Sequence, residues 1–310
     1  MIDLTLLQNS IPAIQHATTL EKITKGFSPD HKYIVRFNHQ PSLILKVGSS
    51  GTINDRRKEA DLLLSLHAKG VRCPKPIDSG HLLSLDHFYQ LYSYIDGDDA
   101  ETALPQLSKN DQYKIGLVAG RELALMHEVP APISIASWEE RALIKHTNYL
   151  TSYHSIGVKL QNDHKLIDFI EANKQYLKGR PNRFQHDDFH LNNIMIKDSH
   201  YSGAIDFNGY DWGDPYHDFV KIALFSRHTS IPFSIGQIHG YFNHQIPELF
   251  WTLYSIYTAM TVFSSIVWSL RVAPEQFDEM LDRLHTVLRD HHSFDQVVPS
   301  WFTRNVQAFL

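Results

Sequence analysis

The run Phe184-Gln185-His186-Asp187-Asp188-Phe189-His190-Leu191-Asn192-Asn193 gathers carboxylates, imidazoles and amides into one short polar stretch. An apolar segment, Ile194-Met195-Ile196, follows it, and a further carboxylate, Asp206, lies in Ala204-Ile205-Asp206-Phe207. Phosphoryl transfer needs an acceptor near the substrate hydroxyl and hard oxygen ligands that hold magnesium against nucleotide phosphates. The spacing His-x-Asp-x-x-x-x-Asn supplies both. Asp188 would take the hydroxyl proton, Asn193 would turn its amide oxygen to the metal, Asp206 would ligate from the next strand end, and His186 would brace the loop. Asp187 is a competing base, but Asp188 alone has the required interval to Asn193. Two plainer readings stand beside this one. Asp and Asn are common turn and capping residues. His186, Asp188 and His190 would also suit zinc or iron, although the remaining histidines are scattered without a second spaced cluster.

These residues need a scaffold, and the pattern along the chain supplies two regions. Lys32 to Phe37 and Pro41 to Val47 are rich in β-formers around Asn38-His39-Gln40, which predicts two strands joined by a tight turn. Asn54 to His67 reads as a helix that stops before Gly70, and extended pieces follow over Pro76–Leu83 and Phe88–Ile95. Gly97, set among Asp96, Asp98 and Asp99, marks a break. Beyond it the pattern turns helical, over Leu107–Glu128, Asp163–Leu177, Asp218–Phe225, Glu248–Leu270 and Pro274–Leu288, with short strands only near Ile194 and Ala204.

The ordered set of His186-x-Asp188 with Asn193, Ile205-Asp206-Phe207, and Gly213-Asp214-Pro215 followed by Asp218 resembles the aminoglycoside phosphotransferase family. The resemblance is strongest from Arg183 to Phe219 and extends over both regions. It implies an α+β, bilobal protein-kinase-like fold: a small β-rich nucleotide-binding lobe over 1–96 and a larger, mostly helical catalytic and substrate-binding lobe over 97–310. It implies Asp188 as the catalytic aspartate with His186 beside it, Asn193 and Asp206 on Mg2+, and Asp214 and Asp218 building the loop beneath. In the first lobe it implies Lys46 as the phosphate-binding lysine and Glu59 as its ion-pair partner. Gly26 and Ser28 would lie in the turn that covers the phosphates, and the strand carrying Tyr92 and Tyr94 would meet the base.

The co-substrate is then ATP or GTP, and the acceptor a hydroxyl of a small polar molecule. An aminoglycoside-like cation is favoured because Asp187, Asp211 and Asp214 would concentrate positive charge. Homoserine, choline, sugar and macrolide hydroxyls are the other acceptors, and a nucleotide-binding pseudokinase is the reading without catalysis. The sequence departs from the family at Asp187, where glycine is usual, and no Ala-Pro-Glu segment of the protein-kinase kind follows Asp206.

Composition bounds the rest. Lys and Arg number 29 against 34 Asp and Glu, for a net charge of -5, with no basic tract, so nucleic acid is not an expected partner. A lone cysteine, Cys73, and an opening segment without the features of a secretory leader predict a cytoplasmic location. Phe250 to Leu270 is long and uncharged enough to cross a bilayer, but its seven Ser and Thr residues and the lack of a flanking basic cluster predict a buried core helix. A monomer or homodimer without a membrane partner is expected.

Overall fold

The computed structural model describes residues 4–24, 30–49, 53–82 and 86–309. The predicted phosphate-turn residues Gly26 and Ser28 lie outside them. The chain forms two compact units, one of Met1–Gly97 with Ser202–Asn208, the other of Asp98–Tyr201 with Gly209–Leu310.

The first unit opens with helix α1 (Leu4–Ser10) and holds strands β1 (Thr19–Ile23), β2 (His31–Arg36), β3 (Leu43–Ser49), β4 (Pro76–Leu82) and β5 (His87–Ser93). They make one antiparallel sheet in the order β1-β2-β3-β5-β4, with helix α2 (Ile53–Ala68) between β3 and β4 in the chain. Alternation with period two divides its faces. Tyr33, Val35, Leu45, Val47 and Leu91 join Leu7, Ile11 and Ile14 in a core, while Lys32 and Lys46, cross-strand partners, occupy the alternate positions. The returning segment is tied in by the Ala204 amide, which donates to the Arg72 carbonyl at 2.9 Å.

In the second unit, β6 (Asp98–Asp99) precedes helices α3 (Ala100–Ala103), α4 (Lys109–Met126), α5 (Trp138–Ser155) and α6 (Asp163–Asn173). Ser108 and Ser137 cap α4 and α5 by accepting from Asp111 and Glu140 amides. Strands β7 (Arg183–Gln185), β8 (Ile194–Lys197), β9 (His200–Ala204, whose last three residues belong to the first unit) and β10 (Asp211–Gly213) follow, with β7 antiparallel to β10 and β6 to β8. The chain then runs through a 3-10 turn (Pro215–Phe219), a π-helical turn (Ile222–Ser226), and helices α7 (Arg227–Thr229), α8 (Ile231–Phe242), α9 (Glu248–Val272), α10 (Phe277–Asp290) and α11 (Ser300–Asn305).

Several elements were not anticipated from the sequence, strands β6, β7 and β10 among them, since short strands were expected in this region only near Ile194 and Ala204. Strand β1 is an edge strand whose residues are exposed or half-buried, so it shows no alternation. Helix α5 buries Trp138, Ala142, His146 and Tyr153, a stripe mixed in polarity. Helix α8 is buried almost all round, and its Gly236 and Gly240 look like breakers. They are instead the contact surface: a Cβ on Gly236 or Gly240 would overlap the Tyr113 or Leu117 carbonyl of α4, and one on Gly116 or Gly120 would overlap the Phe233 or Gln237 carbonyl of α8. Asp218–Phe225, expected as a helix, divides between the 3-10 and π-helical turns.

Helix α9 has the length and hydropathy of a membrane span, yet 72% of its most apolar window is buried inside the fold. Three of its hydroxyls find carbonyl partners: Ser255 Oγ donates to the Val297 carbonyl at 2.6 Å, Thr261 Oγ1 to the Tyr257 carbonyl at 2.7 Å and Ser264 Oγ to the Thr261 carbonyl at 3.1 Å. This is the core helix that its Ser and Thr content predicts.

Two outcomes follow. Gly120→Ala gains up to about 1 kcal/mol of helix propensity but overpacks a backbone contact, which typically costs about 1–3 kcal/mol or more, so denaturant unfolding should show a net loss of stability. His239 and His291 are buried, and burial holds each imidazole down, at about 4, against 6.5 for an ordinary histidine. The unfolded chain therefore binds protons there that the fold cannot, and stability present above pH 6.5 is lost as pH falls toward 4. Calorimetric midpoints should be flat above that window and drop within it, with a smaller drop in His291→Gln.

Candidate active site

The catalytic-loop candidate hangs from one buried carboxylate. Asp218, with 0% exposure, accepts the His186 amide at 2.8 Å and the His127 imidazole Nε2–H at 3.0 Å on Oδ2, and the Asp187 amide at 2.9 Å on Oδ1. His127 Nδ1 lies 2.9 Å from the Tyr241 hydroxyl. In the neutral ring, Nε2–H donating to the carboxylate leaves Nδ1 to accept from that hydroxyl. Burial pushes the Tyr241 phenol well up, so it keeps the proton it donates. A buried carboxylate is tolerable when its oxygens are occupied in this way.

The same bonds shape the backbone. Asp187 sits in the left-handed region at φ 58, where glycine is favoured and Asp and Asn are the next best tolerated. Aspartate can therefore replace the family's glycine at this position without distorting the turn. Its side chain pairs with His217 at 3.4 Å. Burial alone would raise the Asp187 carboxyl, but the neighbouring His217 imidazole and the charges of Lys145 and Lys221 hold it down, at about 2.

Asp188, its side chain 46% exposed, is gripped on both oxygens. Oδ1 meets Lys221 Nζ at 3.0 Å and His190 Nε2 at 3.3 Å, and Oδ2 accepts from Asn193 Nδ2 at 2.9 Å. His190 Nδ1 accepts the Asn192 amide at 3.3 Å, which leaves Nε2–H facing Asp188. Burial opposes ionisation of Asp188, yet the His190 hydrogen bond and the Lys221 charge hold its carboxyl well below the usual range. Lys221 in turn is kept protonated: burial works against its charge, but Asp188 and Asp187 raise it. Asn193 Nδ2 also donates to the Asp188 carbonyl at 2.9 Å, so both amide hydrogens orient the side chain and Oδ1 is the atom suited to a hard cation. His186 is fully buried against the Phe189 ring, 5.6 Å between centroids.

The carboxylates from which a cationic acceptor was expected are already paired. Asp214, fully buried, binds Arg180 Nε at 2.6 Å and accepts the Tyr257 hydroxyl at 2.6 Å. Asp211 pairs with Arg141, whose guanidinium also donates to the Trp212 carbonyl. Trp138, at the start of α5, is buried with its indole N–H donating to Tyr257 at 2.9 Å.

In the first unit, Lys46 Nζ lies 2.8 Å from Glu59 Oε1, the two side chains 11% and 7% exposed, so the strand lysine and helix glutamate do meet. Lys46 also sits 5.1 Å from the centre of the Tyr92 ring. Tyr92 is buried and its backbone faces Ile44 on one side and Pro76 on the other within the sheet, so its ring rather than its backbone faces the lysine. Tyr94, beyond the end of β5, donates its amide to the Ser42 carbonyl at 3.3 Å and packs its ring against Arg36. Asp206 is held at φ 65 and lies 3.4 Å from Lys32 Nζ.

Sequence reasoning missed Lys221, His127 and Tyr241. Lys221 had a signal: a single charge inside Phe219-Val220-Lys221-Ile222-Ala223-Leu224 is uncommon unless paired. His127 and Tyr241 had none, because their partner lies far away in the chain.

Comparison with known proteins fits this geometry. The model of the phosphotransferase enzyme family matches residues 19–251. No curated protein matches the chain by sequence. Among solved structures, ADP-bound aminoglycoside phosphotransferase APH(2'')-Ib superposes with a TM-score of 0.64 at 16% identity, covering 92% of this chain and 98% of its own. A thermostable mutant of aminoglycoside phosphotransferase APH(4)-Ia with ADP and hygromycin B gives 0.65 at 14% identity, covering 91% and 96%. The GDP complex of aminoglycoside 2'-phosphotransferase-IIIa gives 0.66 at 16% identity, covering 91% and 96%. At these identities the likeness establishes the α+β kinase-like fold.

Proposed function

Because the chain belongs to the phosphotransferase enzyme family, we propose that it moves the γ-phosphoryl group of ATP or GTP to a hydroxyl of a small polar molecule, with Asp188 receiving that hydroxyl. The observation that carries this reading is the Asp188 carboxylate, half-exposed and held on both oxygens by Lys221, His190 and Asn193. A carboxylate kept ionised and aimed in this way is a good orienting acceptor and a weak base. That suits a loose phosphoryl transition state, in which the proton leaves late and positioning supplies most of the acceleration.

Asn193 and Asp206 present hard oxygens of the kind magnesium takes, and we assign them to it. When bound, the metal neutralises charge on the nucleotide phosphates. Lys46, fixed by Glu59 and the Tyr92 ring, is assigned to the phosphates, and the backbone that follows Tyr94 to the base. His186 acts through the loop it braces. Relatives in the comparison carry ADP or GDP, and both nucleotides are retained as donors here. The chemistry takes place in a cytoplasmic setting on this reading.

Aminoglycoside-like acceptors, favoured from the sequence on account of Asp187, Asp211 and Asp214, lose that particular support, since each of the three is already paired within the chain. Other hydroxyl compounds, among them homoserine, choline, sugar and macrolide hydroxyls, stand level with them. A nucleotide-binding pseudokinase is the alternative that Asp187 suggests; the left-handed backbone there, which aspartate tolerates, supports the catalytic reading over it.

Phosphoryl transfer from ATP and GTP with magnesium, measured over a panel of hydroxyl compounds, should fall by about 10²–10⁴-fold in Asp188→Asn. Nucleotide affinity should stay near wild type. A rate within about threefold of wild type would contradict the assignment.

A further inference from the structure

The charge around Asp188 bears on which acceptors the site takes, given the phosphotransferase reading above. Asp188 and Asp187 are accompanied by Lys221, His190 and His217, at 3.0, 3.3 and 3.4 Å. The acids from β10 to the 3-10 turn after it are engaged as well: Asp211 by Arg141, Asp214 by Arg180, and Asp218 by three N–H donors. Each of these five carboxylates, Asp187, Asp188, Asp211, Asp214 and Asp218, thus has a cationic or N–H partner within the chain.

The local fold holds this arrangement in place. The segment after Asp218 forms a π-helical turn, Ile222–Ser226, a rare conformation that recurs at functional sites. It carries Phe225, half-buried, into a position where Lys221 Nζ lies 5.8 Å and the Arg283 guanidinium 5.0 Å from the ring centre, with the His190 ring 5.0 Å away. Arg283 is fixed further by Glu279 at 2.6 Å and by the Leu224 carbonyl at 3.2 Å. Phe225 thus keeps a lysine, an arginine and an imidazole packed about one aromatic side chain, with the lysine and imidazole on the Asp188 carboxylate.

We infer that Lys221 is a specificity-determining residue which excludes polycations, and that the acceptor is an uncharged hydroxyl compound of the polyol or sugar type. Bringing a clustered polyamine to Asp188 would require it to displace Lys221 or to stand beside a like charge. Built-in repulsion of this sort discriminates between ligands as effectively as added attraction. An uncharged hydroxyl needs only one oxygen of Asp188 as acceptor and meets no such opposition.

The test uses kanamycin as a polycationic probe, titrated calorimetrically into wild type, Lys221→Gln and Lys221→Arg in the presence of magnesium and a non-hydrolysable ATP analogue. Lys221→Gln should bind kanamycin at least tenfold more tightly than wild type, while Lys221→Arg, which keeps the charge, should bind it as weakly as wild type does. Retention of α-helical circular dichroism and of nucleotide binding in both variants establishes that they are folded. Kanamycin bound by wild type as tightly as by Lys221→Gln would overturn the inference. So would its phosphorylation by wild type at a lower KM than myo-inositol and methyl glucoside. Failure of the phosphotransferase reading itself shows elsewhere: magnesium-dependent nucleotide turnover would then be the same in wild type and Asp188→Asn, whatever the kanamycin titration gives.

Discussion

The buried carboxylate of Asp218 is the interaction on which the candidate site depends. It lies 0% exposed, and three N–H donors converge on it, two from the backbone of the loop that presents Asp188 and one from the His127 ring. Charge-assisted hydrogen bonds are roughly twice as strong as neutral ones, and removing one partner leaves a buried donor unsatisfied. It holds the Asp187 amide, at the residue whose positive φ turns the chain into Asp188, whose carboxylate accepts from Asn193. His127, itself oriented by Tyr241, ties the loop to helices α4 and α8, whose glycine-lined contact is the tightest helix pair described above.

A second theme is that charge in this region is matched inside the chain. Each carboxylate from Asp187 to Asp218 that the sequence offers for recognising a cation has its own lysine, arginine, histidine or amide donor. Composition counts these acids as surplus negative charge, whereas the fold spends them on orienting the loop. What results is a carboxylate with its proton affinity suppressed and its two oxygens fixed, the arrangement that positioning catalysis calls for.

How far this was legible beforehand depended on the separation of partners in the chain. The His186 to Asn193 spacing is local, so the roles of its members could be argued from intervals alone. Lys46 and Glu59, on a strand and the next helix, were likewise within reach, and the structure brings them to 2.8 Å. The strands with clear alternation and the long helices α2, α4 and α9 showed in the pattern. Edge strand β1 and the buried helix α8 did not, because one lacks a buried face and the other lacks an exposed one. Lys221 fell inside an expected helix that the structure resolves into a π-helical turn beside it, and its pairing with Asp188 spans 33 residues. No periodicity encodes a contact of that kind.

Amide hydrogen exchange at His186 and Asp187, compared between wild type and Asp218→Asn, tests most directly whether one buried carboxylate holds the site together. Both amides should be protected in wild type and should exchange at least about tenfold faster in the variant, since a neutral amide can replace neither the charge nor the second acceptor oxygen. Protection within α4 and α8 should persist, and phosphoryl transfer should fall with the loop. Unchanged protection at His186 and Asp187 in Asp218→Asn would contradict the assignment of the loop's geometry to this carboxylate.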